Sequence, residues 1–194
     1  MNVEILREQE KIKYEWLNKN TDYGQSFHAK GRVDEIQNLI EEYEITSVID
    51  VGTGRGLLCE WFEQNTNIQK IYGLDIAMDP VIPQTDRIKF IKSGAHDIQI
   101  DDTVDMVTSF DFFEHVVEQD VDIILTEMKR VCNTIMAHKV HYVTENHHGH
   151  STSHKETVGE LHQTRREVDW WLEKFEQYGK ARFQADKRLF IIEV

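Results

Sequence analysis

Apolar residues recur along this chain in two rhythms. A period near 3.6 over residues 4–19 (Ile5, Ile12, Trp16, Leu17) and 33–44 (Val33, Ile36, Leu39, Ile40, Tyr43) predicts two amphipathic helices. Short apolar runs at 47–51, 70–75, 87–92, 104–109 and 135–143 predict strands, and the first reads almost continuously apolar, as a strand buried on both faces does. Helical spacing returns at 56–65, 116–132 and 164–178, and the closing runs 180–185 and 188–194 predict a hairpin. Strands alternating with helices predict an α/β fold, doubly wound around a mostly parallel sheet. Between Asp75 and Arg87 the chain carries Pro80 and Pro83, so the crossover helix expected there is reduced to a turn.

The pattern breaks most sharply at Ser47-Val-Ile-Asp-Val-Gly-Thr-Gly-Arg-Gly56, where an apolar run ends in an acid and three glycines at alternate positions. Glycine supplies the left-handed or crowded backbone needed where a ligand lies against the chain. The spacing is Gly-x-Gly-x-Gly, with Leu57 where a dinucleotide fingerprint has its third glycine, and no Lys-Ser/Thr pair completes a phosphate loop. What remains suits an uncharged or zwitterionic nucleoside, with Asp50 orienting the loop or pairing with an ammonium group. Asp75 ends the next run, Ile71-Tyr-Gly-Leu74, where an acid can hold two ribose hydroxyls.

On these residues the chain resembles the class I S-adenosylmethionine-dependent methyltransferases, over about residues 30 to 194. Val48 to Gly56 is similar to that family's first motif and Gly73-Leu-Asp-Ile76 to its second. Ser109 to Val116 is similar to the segment after strand 4 in the subgroup ending in Glu-His-Val, which includes quinone-precursor O-methyltransferases. Leu161-His162 with Trp170-Trp171-Leu172 resembles small bacterial and phage methyltransferases. The resemblance implies a Rossmann-like sheet of seven strands, the last antiparallel, in a domain spanning 33–194, with residues 1–32 as a helical leader over the cofactor. It implies S-adenosylmethionine held by Asp50, Gly52, Thr53, Gly54, Gly56, Asp75, Ile76, Ala95 and Phe110, with Asp97 as the acid after strand 3. Tyr23 and His28 would reach it from the leader.

Composition narrows the partners. Lys plus Arg number 22 against 35 Asp plus Glu, and the net charge of −13 disfavours nonspecific attraction to DNA. No Asn/Asp-Pro-Pro-Tyr segment or Pro-Cys nucleophile of DNA methyltransferases is present. A small-molecule or sugar acceptor is expected, methylated on O or N. The alternatives are an RNA base or cap, reached through Lys155, Arg165 and Arg166, and a non-catalytic S-adenosylmethionine-binding regulator. Cys59 and Cys132 read as reduced, buried thiols, and no stretch approaches 18 apolar residues, so a cytoplasmic chain without a membrane span is expected. Oligomeric state is left open.

Asp111-Phe-Phe-Glu-His115 carries two compatible readings. Asp111 and Glu114 are spaced as a capping box before the helix that follows. Asp111, Glu114 and His115 are also spaced i, i+3, i+4, and the subgroup's corresponding residues bind a divalent ion, which makes Mg2+ or Mn2+ a possible second cofactor. His115, Glu114 and His162 are the candidates for helping to deprotonate an acceptor. The remaining dense signal is histidine: His138 and His141 on the fifth strand, then His147, His148, His150 and His154, which read as a substrate-contacting loop, a zinc cluster or solvated surface. Trp170 and Trp171, adjacent on one helix, cannot share a face.

Overall fold

The computed structural model describes residues 3–24, 27, 29–144 and 158–194. His28, Lys155 and the histidines at 147, 148, 150 and 154 lie outside the described residues. Seven strands form one sheet: β1 Ser47–Val51, β2 Lys70–Asp75, β3 Ile88–Lys92, β4 Val104–Phe110, β5 Cys132–Lys139, β6 Lys180–Gln184 and β7 Leu189–Glu193, in the order β3-β2-β1-β4-β5-β7-β6. The first five pair in parallel, β7 runs antiparallel to β5, and β6 closes the hairpin. This is the Rossmann-like α/β arrangement, with β3 and β6 at the edges.

Alternation along the strands divides the core in two. Val48, Ile71, Met106 and Ile135 face α2 (Val33–Glu42) and α3 (Leu57–Asn65), whereas Ile49, Leu74, Val107 and Met136 face α4 (Glu118–Val131) and α5 (Val168–Glu176). Trp171 is fully buried in the second half, stacked on Phe175, while Trp170 takes Arg166 and Lys174 over its ring. Both cysteines are buried free thiols, and burial pushes Cys132 up to about 11 and Cys59 still further from ionisation.

No helix fills residues 76–87 or 93–103. The first connection is held by side chains instead: Arg87 donates to the carbonyls of Ile68, Glu63 and Thr66 at 2.8–3.1 Å, and Val81 N–H reaches the Arg55 carbonyl. β5 starts at Cys132, directly after α4, and ends at Lys139, so His138 lies on the strand but His141 lies just past its carboxyl end. The last helix likewise starts at Val168 rather than 164, because the chain before it is drawn into the site described next.

Helix α1 (Val3–Asn20) buries only Leu17 and crosses the carboxyl edge of the sheet. It is fixed through side chains. Arg7 makes a bidentate pair with Asp120 of α4 at 2.7 and 2.8 Å, Asn18 donates to the Ala77 carbonyl, and Glu15 pairs with Lys92.

Candidate functional site

A cavity opens at the carboxyl ends of β1, β2 and β4, where open α/β sheets bind ligands. Its floor is the glycine turn. Gly52 adopts φ +77°, and a Cβ there would sit 2.6 Å from the Phe112 ring, so no other residue fits without displacing it. Gly52 and Thr53 donate to the Leu74 carbonyl at 2.8 and 3.0 Å, tying the turn to the end of β2. Asp50 is buried and accepts from the Thr108 hydroxyl at 2.9 Å. Asp75 accepts from the N–H groups of Gly54 (2.9 Å) and Ala77 (2.8 Å). Burial raises the Asp75 carboxyl above its ordinary range, and those two N–H groups pull it partly back.

Of the expected cofactor residues, Asp50, Gly52, Thr53, Gly54, Asp75, Ile76, Ala95, Phe110 and Tyr23 all line this cavity. Gly56 sits behind it as the left-handed N-cap of α3. Asp97 is exposed, on the side of Arg130, and does not line the cavity, whose wall there is Gly94, Ala95 and His96. Leu6, Glu10, Tyr14 and Asn18 of α1, within the leader expected over the cofactor, line the cavity at intervals of four, and of these Leu6, Glu10 and Asn18 are not singled out from the sequence.

The turn after β4 differs from the expected capping box. Asp111 takes left-handed backbone (φ +52°) and its carboxylate pairs with Lys139, while Phe113–His115 form a single 3-10 turn whose N-cap, Phe112, makes no side-chain cap bond. The consequence is that Glu114 and His115 separate. His115 lines the cavity, its Nδ1 lying 2.9 Å from the Tyr14 hydroxyl and 3.2 Å from the Leu161 carbonyl. That carbonyl can only accept, so a proton on Nδ1 satisfies it and leaves the lone pair on Nε2. Glu114 turns behind the cavity wall, 1% exposed, and its Oε1 accepts from the His141 N–H at 3.1 Å. Its Oε2 has no hydrogen-bond partner among the described residues, and burial pushes the carboxyl up to about 8.

The segment before α5 completes this cluster. Thr164 donates its N–H to the Glu114 carbonyl and its hydroxyl to the Val116 carbonyl, drawing His162 against the turn. The His162 ring lies 4.9 Å from those of both His115 and His141. One ligand atom from each of Glu114, His141 and His162 falls within 4.8 Å of the others, and among the described residues this is the grouping of three able to hold a metal ion. The expected set of Asp111, Glu114 and His115 is not brought together, because Lys139 takes Asp111 and Tyr14 takes His115.

Residues 49–134, the stretch that holds the glycine turn, Asp75 and the turn after β4, match a family model described as a methyltransferase domain. No curated protein sequence matches the chain. Among solved structures, a chain of the complex between the Trm112 methyltransferase activator of Haloferax volcanii and its methyltransferase superposes with a TM-score of 0.61 at 20% identity, covering 87% of this chain and 95% of that one. The methyltransferase domain of a bacterial CtHen1 gives 0.65 at 15% identity over 86% and 100%. The amino pentose methyltransferase CalS10 of Micromonospora echinaspora, solved with its methyl donor bound, gives 0.63 at 13% identity over 88% and 92%. At such identities the likeness is one of fold. No described helix is long and apolar enough to cross a membrane.

Proposed function

We propose that this chain transfers a methyl group from S-adenosylmethionine to an oxygen or nitrogen of a small-molecule or sugar acceptor. The observation that carries the reading is the cavity itself: a left-handed glycine turn bonded to a half-buried carboxylate, opening under Tyr14 of α1. Asp75 would hold the ribose hydroxyls, the Gly52–Gly56 turn would face the methionine portion, and Ala95 with Ile76 would flank the adenine. Tyr14 and Tyr23, with ring centroids 5.7 Å apart, would surround the sulfonium.

The donor methyl is already activated, so the protein has to align the nucleophile with the S–CH3 bond and exclude water. α1 serves the second need by roofing the cavity. A hydroxyl acceptor also has to lose a proton, and His115, with its Nε2 lone pair, would accept it as the C–O bond forms. Glu114, His141 and His162 fit a divalent ion, since a buried carboxylate oxygen without a partner and two imidazoles converge. Two nitrogens to one oxygen favour Mn2+ over Mg2+. Such an ion, when bound, would sit behind the cavity wall and hold His162 against the turn that carries His115. The RNA alternative gains little: Arg166 is engaged bidentately by Glu118 at 2.7 Å.

Calorimetry with S-adenosylhomocysteine tests the reading. Micromolar association is expected, weakened about 10- to 100-fold in Asp75→Asn, with no heat from NADH. No association with the unaltered protein would overturn it.

A further inference from the structure

The outer side of α1 carries the apolar residues whose rhythm in the sequence predicts burial. Ile5, Ile12 and Trp16 are 51%, 57% and 41% exposed, because the helix turns Leu6, Glu10 and Tyr14 to the cavity and buries Leu17 alone. With Gln9 and Lys19, both exposed, they follow one another at intervals of four and three residues, the 3.5-residue rhythm of a seam on which helices pair. The patch continues past both ends of the helix. Ile123, exposed on α4, lies one turn after Asp120, the partner of Arg7. Val81, exposed in the connection after β2, donates its N–H to the Arg55 carbonyl, and the Arg55 guanidinium reaches the Asn18 carbonyl at 3.3 Å. Six large hydrophobic side chains are exposed among the described residues, and these are five of them. The sixth, Val194, lies at the opposite end of the sheet, bonded to Thr134 near the start of β5.

Charge selects what covers it. α1 has four acids (Glu4, Glu8, Glu10, Glu15) and four bases (Arg7, Lys11, Lys13, Lys19), so it is neutral in a chain of net charge −13. Two copies of the chain therefore repel over most of their surface and least where their α1 helices meet. A membrane is disfavoured, since an interfacial helix takes its hold from a polar face rich in Lys and Arg, and anionic lipid repels the rest of the chain. The exposed charges are also sorted along the helix, with Glu4 and Glu8 near its start and Lys19 near its end. Antiparallel pairing about a twofold axis brings each acidic start to a basic end and sets the two helix dipoles in opposition. Parallel pairing would bring like charges together.

We infer that the outer seam of α1 docks a second copy of this chain, antiparallel about a twofold axis, with Ile5 of each copy against Trp16 of the other and Gln9 against Ile12. So short a seam makes a reversible dimer of micromolar affinity, not an obligate one. The opposite face of the same helix roofs the cavity. Pairing steadies that roof, and a ligand that orders the roof strengthens pairing in return. The dimer does not rest on the methyl-transfer reading; the identity of the coupled ligand does.

Sedimentation velocity of the intact protein from about 1 to about 300 µM should show a monomer–dimer equilibrium. Ile12→Glu, at an exposed position, should weaken the dimer at least about tenfold, whereas Val194→Glu, which adds the same charge at the other end of the sheet, should not. Lys19→Glu should weaken it about threefold more than Lys180→Glu on the sheet edge, and equal effects overturn the antiparallel order. Hydrogen exchange along α1 that slows with protein concentration, while that of β1 does not change, locates the contact without any variant. A chain that stays monomeric throughout, or a dimer that survives Ile12→Glu, overturns the docking. Capture of the protein by phosphatidylcholine vesicles in place of dimer formation gives the seam to a membrane and overturns it as well. Saturating S-adenosylhomocysteine should tighten the dimer about threefold, and a dimer indifferent to the bound nucleoside sinks the coupling. Nucleoside binding by a strict monomer sinks this inference alone, and a dimer that binds no nucleoside sinks the methyl-transfer reading.

Discussion

Glu114 shows how far a local pattern reaches. Its spacing from Asp111 is that of a capping box and of a ligand pair, yet the left-handed Asp111 turns the following residues so that Glu114 is carried behind the cavity wall. Nothing in Asp-Phe-Phe-Glu-His announces that backbone, since a positive φ at a non-glycine residue is held by its surroundings, here Lys139 on another strand. His141 and His162 are 27 and 48 residues further along, and only the folded chain brings them to Glu114. The two sets make different predictions. Mn2+ binding, read by electron paramagnetic resonance, should weaken at least about tenfold in His141→Ala and His162→Ala and little in Asp111→Asn. The opposite ranking would restore the set suggested by spacing. By contrast Asp50, the glycines and Asp75 were legible, because a strand-to-helix turn and its neighbouring strand end form one contiguous chemical pattern.

Among the α-helices, α1 depends least on apolar packing. One buried residue and a row of side-chain bonds hold it over the cavity, so its docking should open at far lower cost than the sheet does. Arg7→Ala leaves Asp120, 3% exposed, without its bidentate partner. We expect faster hydrogen exchange along α1 and roughly tenfold weaker S-adenosylhomocysteine binding, with little change in the exchange of β1 and β4. Asp120→Asn in the same background should recover part of the loss. Exchange and affinity both unchanged would mean that the pair does not hold the roof. The strands themselves were readable from their β-branched runs, and the short crossover after β2 from its two prolines. Their ends were less so: β5 begins three residues before its expected start because α4 runs into it without a loop, a junction that periodicity cannot place.

For the molecule as a whole, acid stability should turn on His138. The ring is wholly buried between Phe113 and Phe175, its Nδ1 2.8 Å from the Ser109 hydroxyl, and burial pushes its pKa down to about 3. The folded value lies below the unfolded one of about 6.5, so the unfolded chain takes up a proton that the folded chain refuses. Stability from this group is therefore complete above pH ~6.5 and is lost as pH falls toward 3, by on the order of a few kcal/mol. Glu114, raised by burial, acts with the opposite sign between about 4.5 and 8, which is why the comparison needs a variant. Urea unfolding from pH 7 to 4 should show His138→Phe lacking the slope of one proton, about 1.4 kcal/mol per pH unit. Parallel curves would assign the acid sensitivity to other groups. A mostly parallel sheet followed from the alternation of strands and helices, and its antiparallel last strand from the family resemblance, whereas the strand order and the histidine cluster needed tertiary geometry.

The two borders of the sheet carry a last consequence. β3 presents Lys89 and Lys92 and β6 presents Lys180 and Arg182, so an acidic chain has placed cations along both open hydrogen-bonding margins. Two molecules approaching margin to margin meet like charge where their backbones would have to zip together. That repulsion guards concentrated solutions against fibrous self-association.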